Sequence, residues 1–165
     1  MTCSRTLVVC ALVTVSALLA ERVEGQAEYR DSVLVAYFSA STLGTAAFGS
    51  ELAVELERHL SATPDYAVVT PPMLIDLLPP SVAETLWHGG VTSRTPLTCL
   101  RARQVAFLVG ASLVVCGTVT GLEDGGFQVL PIVISTQDSR ERMLPPLEGT
   151  DAGVLALGIV NMLRR

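Results

Sequence analysis

The chain has 165 residues, of which 50% are hydrophobic and 16% are charged, and its formal net charge is -5. This composition suffices for one domain with a buried core and excludes a disordered protein. Every basic residue is an arginine, and the arginines form no cluster along the chain, so the electrostatic signature of a nucleic-acid-binding protein is absent.

The first 27 residues have the organisation of an export signal. Arg5 gives a positively charged start, residues 6–20 (TLVVCALVTVSALLA) are an unbroken apolar run, and small residues follow before residue 28. The run is shorter than the roughly 20 residues that span a bilayer. We predict a signal peptide over 1–27 and a mature domain over 28–165 that is periplasmic or secreted, with no membrane span left after cleavage. A retained membrane anchor is the alternative.

The first half of the mature chain predicts two strands and two helices. VLVAYF (33–38) is expected to be a central strand, because its β-branched and aromatic residues show no polar alternation. A second short strand is expected over 66–69, and a short helix over 73–78 after two prolines. The helix between the strands is indicated by apolar residues that recur every four positions, namely Phe48, Leu52, Leu56 and Leu60.

The second half predicts a helix, a β-hairpin and a closing helix. The first helix begins at a Thr-Pro pair (95–96) and ends at Gly110, and the last covers 152–163. Two apolar runs on either side of EDGG (123–126) predict the hairpin. Pro131 lacks an amide hydrogen, so we expect its strand to lie at a sheet edge or to be bulged there. The element order predicts an α/β fold, a single domain with helices packed on a mixed parallel and antiparallel sheet.

Cleavage of the signal leaves two cysteines, Cys99 and Cys116. An oxidising compartment favours a disulfide between them, and a chain reversal at Gly110 brings them roughly level. Helix and sheet axes lie well apart, however, and a disulfide needs Cα atoms within about 7 Å. The sequence leaves open whether these residues form a disulfide or remain two buried free thiols.

Residues that could carry catalysis are scarce. The mature chain has two histidines, His59 and His88, it lacks a G-x-S-x-G motif, and no cysteine or histidine pair has metal-ligand spacing. The sequence therefore predicts a protein that is not an enzyme and has no metal site. Trp87 and His88 lie beside a Gly-Gly loop and are candidate binding residues, with a tryptophan packed over a core edge as the alternative.

One short stretch offers a cofactor alternative. VLVAYFSAS (33–41) resembles the first strand and phosphate loop of flavodoxins, where hydroxyls and backbone amides before a helix hold the phosphate of FMN. The corresponding donors would be Ser39, Ser41, Thr42 and Thr45. The flavodoxin pattern Ser-x-Thr-Gly-Asn-Thr is matched only in part, since the glycine is displaced and the asparagine is missing. We expect no cofactor, and an FMN-binding electron carrier is the alternative function.

A second resemblance covers nearly the whole mature chain. Its segments 48–60, 66–79 and 102–135, with the closing helix, resemble the TolB amino-terminal domain and its relatives in CsgG-type curli assembly, FlgO-type and LpoB-type envelope proteins. The shared pattern is a helix ending in Gly-Ala (110–111) before a Val-Val-x-Gly strand (114–117) and a hairpin. The chain lacks the lipobox, the membrane-spanning hairpin and the propeller domain found in some of these proteins.

This second resemblance implies an exported, non-enzymatic domain that makes protein contacts in the bacterial cell envelope. The partner would meet an exposed sheet edge near Pro131, or the loop 81–93 with Trp87 and His88. A structural module without transferable function is a further alternative.

Overall fold

A computed structural model describes residues 30–40, 42–82 and 97–165. The predicted signal peptide over 1–27 and the candidate residues Ser41, Trp87 and His88 lie outside the described residues. The described elements are, in chain order, β1 (Asp31–Ala40), α1 (Leu43–Ser61), β2 (Tyr66–Val69), α2 (Pro71–Leu77), α3 (Cys99–Val109), β3 (Leu113–Gly121), β4 (Phe127–Ser135), β5 (Glu141–Met143), β6 (Leu147–Gly149) and α4 (Ala152–Leu163).

The strands form one mixed sheet. Its order is β2-β1-β3-β4-β5, and β6 pairs with β4 on the same side as β5. β1 is parallel to β2 and to β3, whereas β3 and β4 form the antiparallel hairpin that the sequence predicts. The parallel pairs need crossover helices, which α1 and the α2–α3 region provide. The predicted α/β fold with a mixed sheet in one domain is confirmed.

Both faces of the sheet are covered, which explains the lack of polar alternation in β1. Val33 and Val35 point to the face where α1 and α4 pack, while Leu34 and Ala36 point to the face covered by α2 and α3. All four side chains are buried. The fully buried apolar row of α1, which the sequence identified, fills the first of these two cores.

The structure corrects the expectation that Pro131 lies at a sheet edge or in a bulge, because β4 is an inner strand and its register with β3 is unbroken. Pro131 is buried inside β4, opposite Gly117 of β3. The carbonyl oxygen of Pro131 accepts a hydrogen bond from the Leu144 amide (2.9 Å), on the side of β4 away from β3. The backbone N and O atoms of one strand residue point to the same side, so the nitrogen of Pro131, which carries no hydrogen, also points away from β3. On that side the pairing is interrupted between β5 and β6, and no ladder hydrogen bond is lost. Pro131 therefore presents no exposed edge to a partner.

Candidate functional site

The turn after β1 is a helix cap. Thr42 is the N-cap of α1, and its hydroxyl accepts a hydrogen bond from the Thr45 amide (3.4 Å). In return the Thr45 hydroxyl accepts from the Thr42 amide (3.0 Å) and donates to the Thr42 carbonyl oxygen (2.9 Å). This reciprocal pattern satisfies amide groups that the first helical turn leaves without partners.

The described hydroxyls of the flavodoxin-like stretch are therefore engaged within the protein. Thr45 is buried, and the Ser39 hydroxyl donates to the carbonyl oxygen of Gly117 on the neighbouring strand (3.3 Å). A phosphate at this turn would have to replace these hydrogen bonds. The arrangement accounts for the hydroxyl-rich turn as local structure, without a ligand.

Glu55, Arg58 and His59 lie together on the outer surface of α1 near its end. Arg58 donates to Glu55 Oε2 (2.6 Å), and His59 Nε2 lies 4.0 Å from the same oxygen. Across residues 30–40, 42–82 and 97–165, no group of three or more His, Cys, Asp or Glu side chains could hold a metal ion. His59 belongs to this surface ion-pair network at the end of α1.

Cys99 and Cys116 form a disulfide in the structure, with Cα atoms 5.6 Å apart. A backbone contact between distant residues accompanies this close approach. The pairing of β1 with β3 is irregular between Val35 and Phe38. Within this irregular stretch the Tyr37 amide donates a hydrogen bond to the carbonyl oxygen of Leu97 (2.9 Å). The chain is thereby held against the sheet just before α3 begins at Cys99. Typical helix and sheet spacing would keep the two axes well apart, and this contact brings the start of α3 closer to the sheet.

The outer side of α3 carries an exposed apolar surface. Leu100, Phe107 and Leu108 are exposed by 68%, 75% and 59%, and they border a groove of about 470 Å³. The groove lies between α3 and the turn after β4. Its lining residues are Leu100, Arg103, Gln104, Phe107, Leu108, Thr136 and Ser139, and we call this set the α3 surface.

The spacing of these residues explains why they face outwards. Positions 100, 104, 107 and 108 recur at three and four residues and form one side of a helix. The opposite side is formed by Ala102, Val105 and Ala106, which are buried against the sheet. Because α3 has apolar residues on both sides, the sequence alone could not distinguish the buried side from the exposed one.

One ion pair connects α3 to β5, and a second lies within the turn after β4. Arg103 of α3 lies 3.2 Å from Glu141 of β5, and Arg140 lies 3.1 Å from Asp138 in the turn. The pKa of Asp138 is held below its ordinary value, first by a hydrogen bond with the Ser135 side chain and next by one from the Arg140 amide. The rim of the groove is therefore charged, whereas its floor is mainly apolar.

Comparison with known proteins identifies the fold. No protein-family model and no curated protein sequence matches the chain. The LpoB C-terminal domain from Escherichia coli is similar in structure, with a TM-score of 0.51, 16% identity and coverage of 81% of this chain and 91% of that chain. The LpoB C-terminal domain from Salmonella enterica has a TM-score of 0.51 at 15% identity, covering 82% of this chain and 94% of that chain. A lipoprotein from Neisseria meningitidis gives a TM-score of 0.47 at 15% identity, covering 82% of this chain and 97% of that chain.

The chain therefore has the fold of the LpoB C-terminal domain. LpoB-type proteins are among the envelope families that the sequence resembles, so the resemblance is confirmed at the level of the fold. Within the described ranges, no helix is both long and apolar enough to cross a membrane.

Proposed function

We propose that this chain is an exported, non-enzymatic domain that binds a protein partner in the bacterial cell envelope, and that the α3 surface is its contact site. The likeness to the LpoB C-terminal domain supports a role of this class. The observation that carries the proposal is the exposure of Leu100, Phe107 and Leu108 beside one groove. Contiguous apolar side chains with a polar rim are typical of protein-binding surfaces.

The groove also defines what the partner must provide. Its apolar floor favours a partner that inserts apolar side chains, while the hydroxyl of Ser139 can hydrogen bond with the partner at the edge. The rim carries arginines and carboxylates in ion pairs, Arg103 with Glu141 and Arg140 with Asp138, so polar or charged side chains of the partner can contact it. The partner segment is therefore expected to be apolar with polar flanks.

The experiment compares two exposed apolar residues on opposite faces of the domain. Phe107→Glu places a charge on the α3 surface, and Val154→Glu places one on α4, where Val154 is exposed by 68%. We expect chemical crosslinking in producing cells to trap an envelope complex that is lost with Phe107→Glu and kept with Val154→Glu. Retention of the complex in both variants would assign contact to another surface, and absence of any complex with the unaltered protein would overturn the proposed function.

Export is part of the same proposal. We expect the signal over 1–27 to be removed, so that amino-terminal sequencing of the protein from the periplasmic or secreted fraction begins near residue 28. A protein that keeps residues 6–20 and fractionates with membranes would instead support the retained anchor.

The loop with Trp87 and His88 remains a second proposed contact, for which loss of the crosslinked complex in Trp87→Ala is the test.

A further inference from the structure

The packing of α3 on the sheet differs from that of the other long helices. α3 buries Ala102, Val105 and Ala106, which are small side chains. α1, in contrast, buries Phe48 and three leucines and also packs beside α4. An isolated helix of the length of α3 is marginal in water, so its order depends on how it is attached.

The strongest attachment of α3 is covalent and lies at its first residue. The disulfide joins Cys99 to Cys116, which is fully buried in the centre of β3. The ion pair between Arg103 and Glu141 also links α3 to the sheet, but it is exposed and therefore weak. Leu100 and Phe107 of the α3 surface are on the helix that the disulfide holds, whereas Thr136 and Ser139 on the opposite wall of the groove are not.

The first core, under α1 and α4, does not include α3. Its buried residues come from those helices and from the sheet face that they cover, together with Leu144. The residues that α3 covers form a separate cluster on the other face, with Leu34 and Val114 among them. Loosening of α3 therefore leaves the first core intact, which is the condition for a local rather than a global opening.

We propose that the Cys99–Cys116 disulfide is a redox control of the α3 surface, a regulation that rests on the proposed function of that surface. With the disulfide formed, α3 is ordered and the groove exists. On reduction, α3 opens locally, the groove is lost, and the sheet with α1 and α4 stays folded.

The reduction step requires a dithiol. Cys99 is only half-buried, so a thiolate of the dithiol attacks its Sγ atom, and the Cys116 thiolate leaves and takes up a proton. The second thiolate of the dithiol then displaces Cys99, which also ends as a thiol. The dithiol becomes a cyclic disulfide, and the two electrons and two protons that it loses are those that the protein gains.

Hydrogen exchange of the mature protein, with and without dithiothreitol, tests the proposal. We expect amides 102–109 of α3 to exchange at least tenfold faster after reduction, while the amides of α1 and α4 change less than twofold. The variant with Cys99→Ala and Cys116→Ala should show the fast α3 exchange with or without dithiothreitol. An unchanged α3, or equal acceleration in all helices, would overturn the proposal.

A control variant separates local opening from general loss of stability. Leu56→Ala removes a fully buried side chain of α1 and leaves the disulfide in place. It should accelerate exchange in the slowest amides of the whole domain without singling out α3. If crosslinking at the α3 surface finds no partner in either redox state, the proposed function fails, whereas the exchange result still decides whether the disulfide controls α3.

Discussion

The contact between α1 and β1 gives a stability prediction with an internal control. A Cβ atom added at Gly49 would lie 2.5 Å from the carbonyl oxygen of Phe38, so helix and strand backbones would have to separate. A Cβ atom at Gly44, in the first turn of the same helix, meets nothing within 4 Å. Gly49→Ala and Gly44→Ala therefore make the same chemical change in one helix, with and without steric conflict.

The expected effects have opposite signs. Overpacking lowers the free energy of unfolding by about 1–3 kcal/mol, and the backbone contact at Gly49 places the loss near the upper end of this range. Alanine stabilises a helix interior by about 1 kcal/mol relative to glycine, which offsets part of that loss. Gly49→Ala should lose about 2 kcal/mol of unfolding free energy, which is about 1 M in the urea midpoint at a slope of about 2 kcal/mol/M. Gly44→Ala should gain about 0.5–1 kcal/mol. Equal stability of the two variants in urea unfolding would refute the reasoning.

Three further predictions concern the cap, a partly buried carboxyl group and the flavin alternative. Thr42→Ala removes the N-cap side chain of α1 and should lower the free energy of unfolding by about 1 kcal/mol, measured by urea unfolding. An unchanged urea midpoint would contradict a stabilising role of this cap. Burial raises the pKa of Glu57 above its ordinary value of 4.5. The protonated carboxyl group therefore makes its full contribution to the free energy of unfolding below pH 4.5, and this contribution is lost as the pH rises through the folded-state pKa. Glu57→Gln should therefore be more stable than the unaltered protein at pH 7 and lose this advantage by pH 4, and the reverse order would refute burial as the cause. FMN titration should give no saturable binding; binding that is lost in Ser39→Ala and Thr42→Ala would establish the flavin carrier instead.

The sequence could predict the elements whose signals are local. The four-residue recurrence from Phe48 to Leu60 gave α1, and the Asp-Gly turn gave the β3–β4 hairpin. The prediction for Pro131 was wrong because a residue without an amide hydrogen was expected to have no neighbouring strand to donate to. In the structure β5 and β6 both pair with β4, one on either side of Pro131 along the strand, and the sequence does not show this pairing.

The candidate site was harder to predict because it depends on tertiary packing. Leu100 and Phe107 have the same residue types as the core, and their exposure follows from which side of α3 the sheet covers. The disulfide lies beside a hydrogen bond that the Tyr37 amide donates to the Leu97 carbonyl oxygen, and these two residues are far apart in the chain. Neither relation has a signal in local sequence.

The most direct measurement places a photo-crosslinking amino acid at Phe107, and in a separate protein at Val154, and irradiates living cells that export the domain. The account predicts a discrete adduct with one envelope protein from position 107 and none from position 154, and peptide mapping should locate the adduct in an apolar segment with polar flanks. The same adduct from both positions, or no adduct from position 107 while the folded domain is present in the envelope, would contradict the assignment of the α3 surface as the partner site.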